Sequence, residues 1–181
     1  FYICLPEKYR DLLEKQIYSV YAGADIQAVD EPNIFSESGK VESAWLGLKK
    51  FSFYPLKTYK EIPTDTLSAF TSVLSKLSPE ETVAIQLVLS PTDSVWTKSG
   101  KSFISGTKKS ESNPEKANYK IDARQLEAVE NKCNKTGFEV AIRIVAVAPT
   151  KEVAKINLSN LKACFGQLES PWNKLSTRKT Y

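Results

Sequence analysis

The chain has 181 residues, 41% of them apolar, a net charge of +4 and no histidine. That length and apolar share suit one domain or one and a half, and no run approaches the roughly 18 successive apolar residues of a membrane helix. The missing histidine removes the commonest general base and metal ligand. Three scattered cysteines, Cys4, Cys133 and Cys164, argue against a disulfide framework or a zinc site and for a reducing compartment.

In chain order, Phe1-Tyr2-Ile3-Cys4-Leu5 reads as a first strand. Pro6 can open the helix that follows, where its missing N–H is harmless. Tyr9, Leu12, Leu13, Ile17 and Val20 form one apolar stripe at helical spacing, and Gly23 is the expected C-cap. Residues 25–29 alternate as a short strand, and a polar loop follows. A longer strand runs from Ser43 to Tyr54, stopped by Pro55, which cannot donate to a ladder. Thr64 or Asp65 caps a second helix striped by Leu67, Phe70, Val73, Leu74 and Leu77. Residues 83–89 are nearly all apolar, as in a strand buried on both faces.

The order strand, helix, strand, strand, helix, strand is the split βαβ, or ferredoxin-like, core over residues 1–90. Residues 91–120, rich in Ser, Lys, Thr and Gly, read as a basic mobile loop. Residues 121–170 form a helix–strand–helix extension packed on the core. In it, Asp122 and Gln125 act as a capping pair, and Leu126, Val129 and Cys133 face inward. Gly137 ends the helix, a strand covers 138–147, and Thr150 caps a last helix carrying Val153, Ile156, Leu161, Cys164, Phe165 and Leu168. Residues 171–181 read as a tail. The expected class is α+β, a ferredoxin-like βαββαβ core with a C-terminal αβα extension. With no methionine and a start inside a strand, the chain reads as a piece of a longer protein.

Charge is uneven. Residues 98–120 carry six Lys against two Glu, 149–181 carry six Lys and Arg against two Glu, and the rest sums to −4. A basic loop can touch nucleic acid or anionic lipid, although a solvated loop is the plainer reading. Gly100-Lys101-Ser102 lacks the earlier glycine of a phosphate loop, because that position is Val95. The sequons at Asn134 and Asn157 are short enough to arise by chance. Adjacent acids such as Glu80-Glu81 point apart rather than facing each other as acid and base. No catalytic, cofactor or metal residue emerges. Trp96, at a strand end beside the basic segment, is the best interface anchor, with Lys98, Lys101, Lys108 and Lys109 beside it. Tyr2, Phe51 and Phe53 are the alternative: aromatics on two strands that stack single-stranded nucleic acid, as in RNA-recognition domains. Arg143, inside an apolar strand, is expected at the sheet edge or paired with an acid.

Five segments together carry a resemblance: Phe1-Tyr2-Ile3-Cys4-Leu5-Pro6 with Ile17-Tyr18 and Tyr21-Ala22-Gly23-Ala24-Asp25-Ile26; Phe53-Tyr54-Pro55-Leu56-Lys57-Thr58 with the helix after Asp65; Ile85-Gln86 with Trp96; Gly137-Phe138-Glu139-Val140 with Ile142-Arg143; and Phe165 with Asn173-Lys174-Leu175. The chain resembles the uncharacterised domain that precedes the motor in type IV secretion, conjugation-type ATPases of the HerA/FtsK superfamily, known mainly from candidate-phylum bacteria. The resemblance implies a non-catalytic accessory role, with the Walker motifs in a motor outside this segment. Implied partners are the motor domain, further copies of the chain, or secretion-channel components. The implied location is cytoplasmic, at the inner face of the membrane. The Lys- and Ser-rich stretch at 98–120 matches nothing in that family.

Overall fold

The computed structural model describes residues 1–63, 65–111 and 122–178. Thr64, the basic segment beyond 111 and the last three residues lie outside them. The chain divides into two compact units, Phe1–Asn33 and Ile34–Tyr181.

In the first unit a 3-10 turn at Glu7–Tyr9 leads into helix α1, Arg10–Val20. Arg10 holds Glu14 at 3.0 Å and Glu7 at 3.5 Å, the one-turn spacing that supports an exposed helix. The apolar stripe is in place, but no α1 residue is buried. The helix stops at Tyr21 rather than at a left-handed Gly23, and no described glycine has a positive φ. Residues 1–5 and 25–29, expected as strands, form none. Strand propensity reflects packing on a sheet, and neither segment has a ladder partner among the described residues.

The second unit is a four-stranded antiparallel sheet built from β1 (Lys40–Leu48), β2 (Thr82–Pro91), β3 (Phe138–Ala148) and β4 (Leu175–Arg178), in the order β2-β3-β1-β4. The α+β class holds. The strand membership differs from the expected split βαβ, because β3 and β4 come from the supposed extension and tail. The tail is recruited as Leu175 to Arg178 pair with Leu48 to Trp45, and the Arg178 guanidinium donates to Leu48 O.

Helix α5 (Lys151–Cys164) starts where Thr150 Oγ1 accepts from Val153 N. It lays Leu158 and Leu161 on Ala44, Leu46, Ile144 and Ala146, with Phe165 beyond its end. The register makes this one face: Ala44 lies opposite Ile144, which lies opposite Ile85. Ile144 and Leu161 are fully buried, contributing about 1.5–3 kcal/mol each. Helix α2 (Ser68–Leu74) adds Phe70, edge-on to Phe165 at 5.0 Å, and Val73. Ile156, expected inward, is exposed. On the other face Arg143 lies on a central strand and, among the described residues, pairs with no acid. Its guanidinium carbon sits 4.2 Å from the ring centroid of Trp45, its cross-strand neighbour, a cation–π pair.

Two expectations about the middle of the chain change. Residues 83–89 are not buried on both faces: β2 is an edge strand, and Leu87 and Leu89 are 56% and 64% exposed beside exposed Phe138 and Val140 of β3. The segment expected as a mobile loop contains helix α3, Val95–Glu111. Its start is marked by Asp93 Oδ1, which accepts from Val95 N at 3.0 Å. Its inward residues Trp96, Gly100, Phe103, Ile104 and Thr107 recur at helical spacing, within a Ser- and Lys-rich composition.

Candidate interaction surface on the α3–α4 hairpin

Helix α4, Ala123–Cys133, begins as Asp122 Oδ1 accepts from Arg124 N at 2.9 Å; no reciprocal bond from Gln125 closes a box. Its Leu126, Val129 and Cys133 meet Ile104 of α3 and Phe53, forming a second apolar cluster with Tyr54, Trp96 and Phe103 around it. The helices approach closely at Gly100, where an added Cβ would lie 2.3 Å from Cys133 Sγ and 3.0 Å from Phe53 Cβ. Gly137, beyond the end of α4, leaves room for the indole of Trp96, to which a Cβ would come within 2.6 Å.

The third wall of this cluster is residues 49–55. The long strand expected to Tyr54 ends at Leu48, and the chain turns instead. A turn has no ladder to satisfy its backbone, so side chains do so. Buried Asn173 donates through Nδ2 to Phe51 O at 3.2 Å and Tyr54 O at 3.1 Å, and its Oδ1 accepts from Lys50 N at 2.9 Å. Ser170 Oγ donates to Pro55 O at 2.7 Å. From α4, Lys132 Nζ donates to Ser52 O at 2.6 Å and Tyr54 O at 3.3 Å, and lies 5.9 Å from the Trp96 ring centroid. Burial lowers the pKa of this ammonium, and burial likewise raises the thiol of Cys133.

The predicted residues separate accordingly. Trp96 is a half-buried member of the cluster rather than a projecting anchor. Lys98, Lys101, Lys108 and Lys109 are exposed on α3. By helical geometry they fall within an arc of about 100° spanning about 16 Å of axis; Lys98 and Lys109 lie away from the cluster, whereas Lys101 and Lys108 border the groove toward α4 beside Cys133 and Glu130. No acid interrupts α3 before Glu111. Tyr2 is exposed in the first unit, Phe51 is 72% exposed and Phe53 is 7% exposed. The two strands expected to carry these aromatics are not formed: residues 1–5 are not a strand, and Phe51 and Phe53 lie in the turn. Sequence reasoning gave Lys132 no role and quoted Asn173 only within the resemblance. Neither role on the turn has a local signal, since each acts more than 75 positions away.

Two clefts flank these elements. One of about 290 Å³ runs along α3 and α4, lined by Lys101, Ser105, Lys108, Glu130 and Cys133. The other, about 550 Å³ between α2 and α5, is lined by Val73, Lys76, Leu77, Asn157, Asn160 and Cys164, without a carboxylate. Among the described residues no group of Cys, Asp and Glu could hold a metal ion, and no helix is long and apolar enough to cross a membrane.

Neither a curated protein nor a solved structure matches the chain. A family match extends over residues 1–173, nearly the whole sequence, and the chain therefore belongs to the family described as Domain of unknown function (DUF8128).

Proposed function

We propose that this domain is a non-catalytic interaction and assembly module of a type IV secretion or DNA-translocation ATPase of the HerA/FtsK kind. It docks through the outer face of α3 onto an acidic protein surface: the motor domain, another copy of the chain, or a channel component. In that role it works on the cytoplasmic side, at the inner face of the membrane. The ATPase reading rests on the resemblance carried by the sequence; the observation that supports the docking face is the row of lysines on α3. Lys98, Lys101, Lys108 and Lys109 fall within one arc of a helix whose inner side packs in an apolar cluster, Lys101 and Lys108 beside the groove toward α4. Charges held on a rigid element give partner choice and fast association at little ordering cost.

The test is association of the purified domain with the purified motor of the protein that carries it. Reversal of all four lysines to Glu is expected to abolish co-elution while leaving thermal unfolding unchanged. Unaltered association would remove α3 as the docking face. A parent protein without a Walker motif would remove the ATPase reading altogether.

A further inference from the structure

Phe51 is exposed, yet it is held in a fixed position. Its ring lies over Phe53 at 5.5 Å with an interplanar angle of 8°, and Phe53 lies over Phe103 at 5.2 Å and 24°. The column thus runs from helix α3 outward and ends in one bare aromatic face. Its backbone is fixed on both sides: Asn173 donates to Phe51 O and accepts from Lys50 N, and Lys132 donates to Ser52 O. Exposed Lys49 and Lys50 precede Phe51, neither in an ion pair with a described residue, and no carboxylate occurs between Glu42 and Glu61. A flat apolar face that directly follows two exposed lysines in the chain, in a stretch without acids, matches a ligand that is flat and apolar in one part and anionic in the next.

We infer that Phe51, with Lys49 and Lys50, is a stacking site for an unpaired base of a single-stranded nucleic acid. The base extends the Phe103–Phe53–Phe51 column by one ring, and the lysines neutralise the flanking phosphates. Aromatic stacking tolerates any base, because every base has a π-face, and nearby lysines hold the backbone. The pinned turn removes most of the ordering cost that a mobile aromatic would meet. This site is separate from the α3 lysine face and does not depend on the ATPase reading.

Fluorescence anisotropy with the full chain tests it, using short labelled oligo(dT) and oligo(U) and an abasic sugar–phosphate strand of the same length. The base-bearing strands are expected to bind more tightly than the abasic one, and the two oligomers together separate DNA from RNA. Phe51→Ala should weaken their binding about tenfold. Phe51→Leu, which keeps apolar bulk without a π-face, should do likewise, and Phe51→Trp should retain binding. Replacing Lys49 and Lys50 with Gln should lower the salt slope by about 1.4. Equal binding of the abasic strand, indifference to Phe51→Leu in a folded protein, or no binding at low salt would each overturn the inference.

Discussion

The second unit contains two apolar clusters built on different rules. The sheet cluster is mainly aliphatic, and its walls are strands and a helix whose backbones are satisfied by their own ladders. The hairpin cluster is smaller, has an aromatic rim of Tyr54, Trp96 and Phe103 around Phe53, and one of its walls is a turn. Regular walls need only shape and apolar area. An irregular wall needs a donor for each carbonyl it turns inward, and Asn173, Ser170 and Lys132 supply them. Polar side chains are therefore as structural in the second cluster as leucines are in the first.

The contrast can be broken most sharply in the sheet. Ile144→Ala should cost about 2–5 kcal/mol and lower the unfolding transition of the whole unit, measured by urea titration. If only the hairpin amides lost protection, the two clusters would not be ordered as described. Asn173→Ala should cost about 2–3 kcal/mol, since it strips donors and an acceptor from a buried turn. Hydrogen exchange should quicken in residues 49–55 while β3 stays protected.

Lys132→Met should cost about 1 kcal/mol, because loss of two hydrogen bonds is partly offset by removing a desolvated charge. Its pH dependence gives the sign. Burial lowers the folded pKa of Lys132 below the ordinary 10.5, so the unfolded chain binds the proton more tightly. The associated stability is complete above 10.5 and is lost as pH falls through the folded value. Wild type should thus gain on the variant as pH rises through that window. The smallest effect is on thiol labelling. Exposed Cys4 should react before Cys133 and Cys164, whose thiols burial makes harder to ionise. Lys132→Met should slow the labelling of Cys133 alone, because it removes an ammonium that favours the thiolate.

Much of the scaffold was legible because its signals are local. The stripes of α4 and α5, the Thr150 cap and the run at 138–147 all rest on periodicity within one element. Errors arose where a neighbour decides. Residues 1–5 have strand composition and no strand to join, whereas residues 175–178 look like a tail and find the edge of β1. In α3, frequent Ser and Lys obscured the spacing of Trp96, Gly100, Phe103, Ile104 and Thr107. The four surface lysines were readable one by one, but their common face required the helix. Phe51 and Phe53 looked equivalent in sequence and are opposites in space, because the turn buries one ring and stacks the other outside it.

The outer edge of β2 has a practical meaning for anyone who concentrates this protein. Ten residues, Thr82–Pro91, run along it without a charge, and among the described residues no strand pairs with that side. Natural sheets guard such borders with lysines, bulges or prolines, and here the guard is a single Pro91 at one end. Sheet-to-sheet growth at this edge is therefore expected to lower colloidal stability on concentration. One Lys at Leu89, where the side chain is already in water, is the substitution that should raise it.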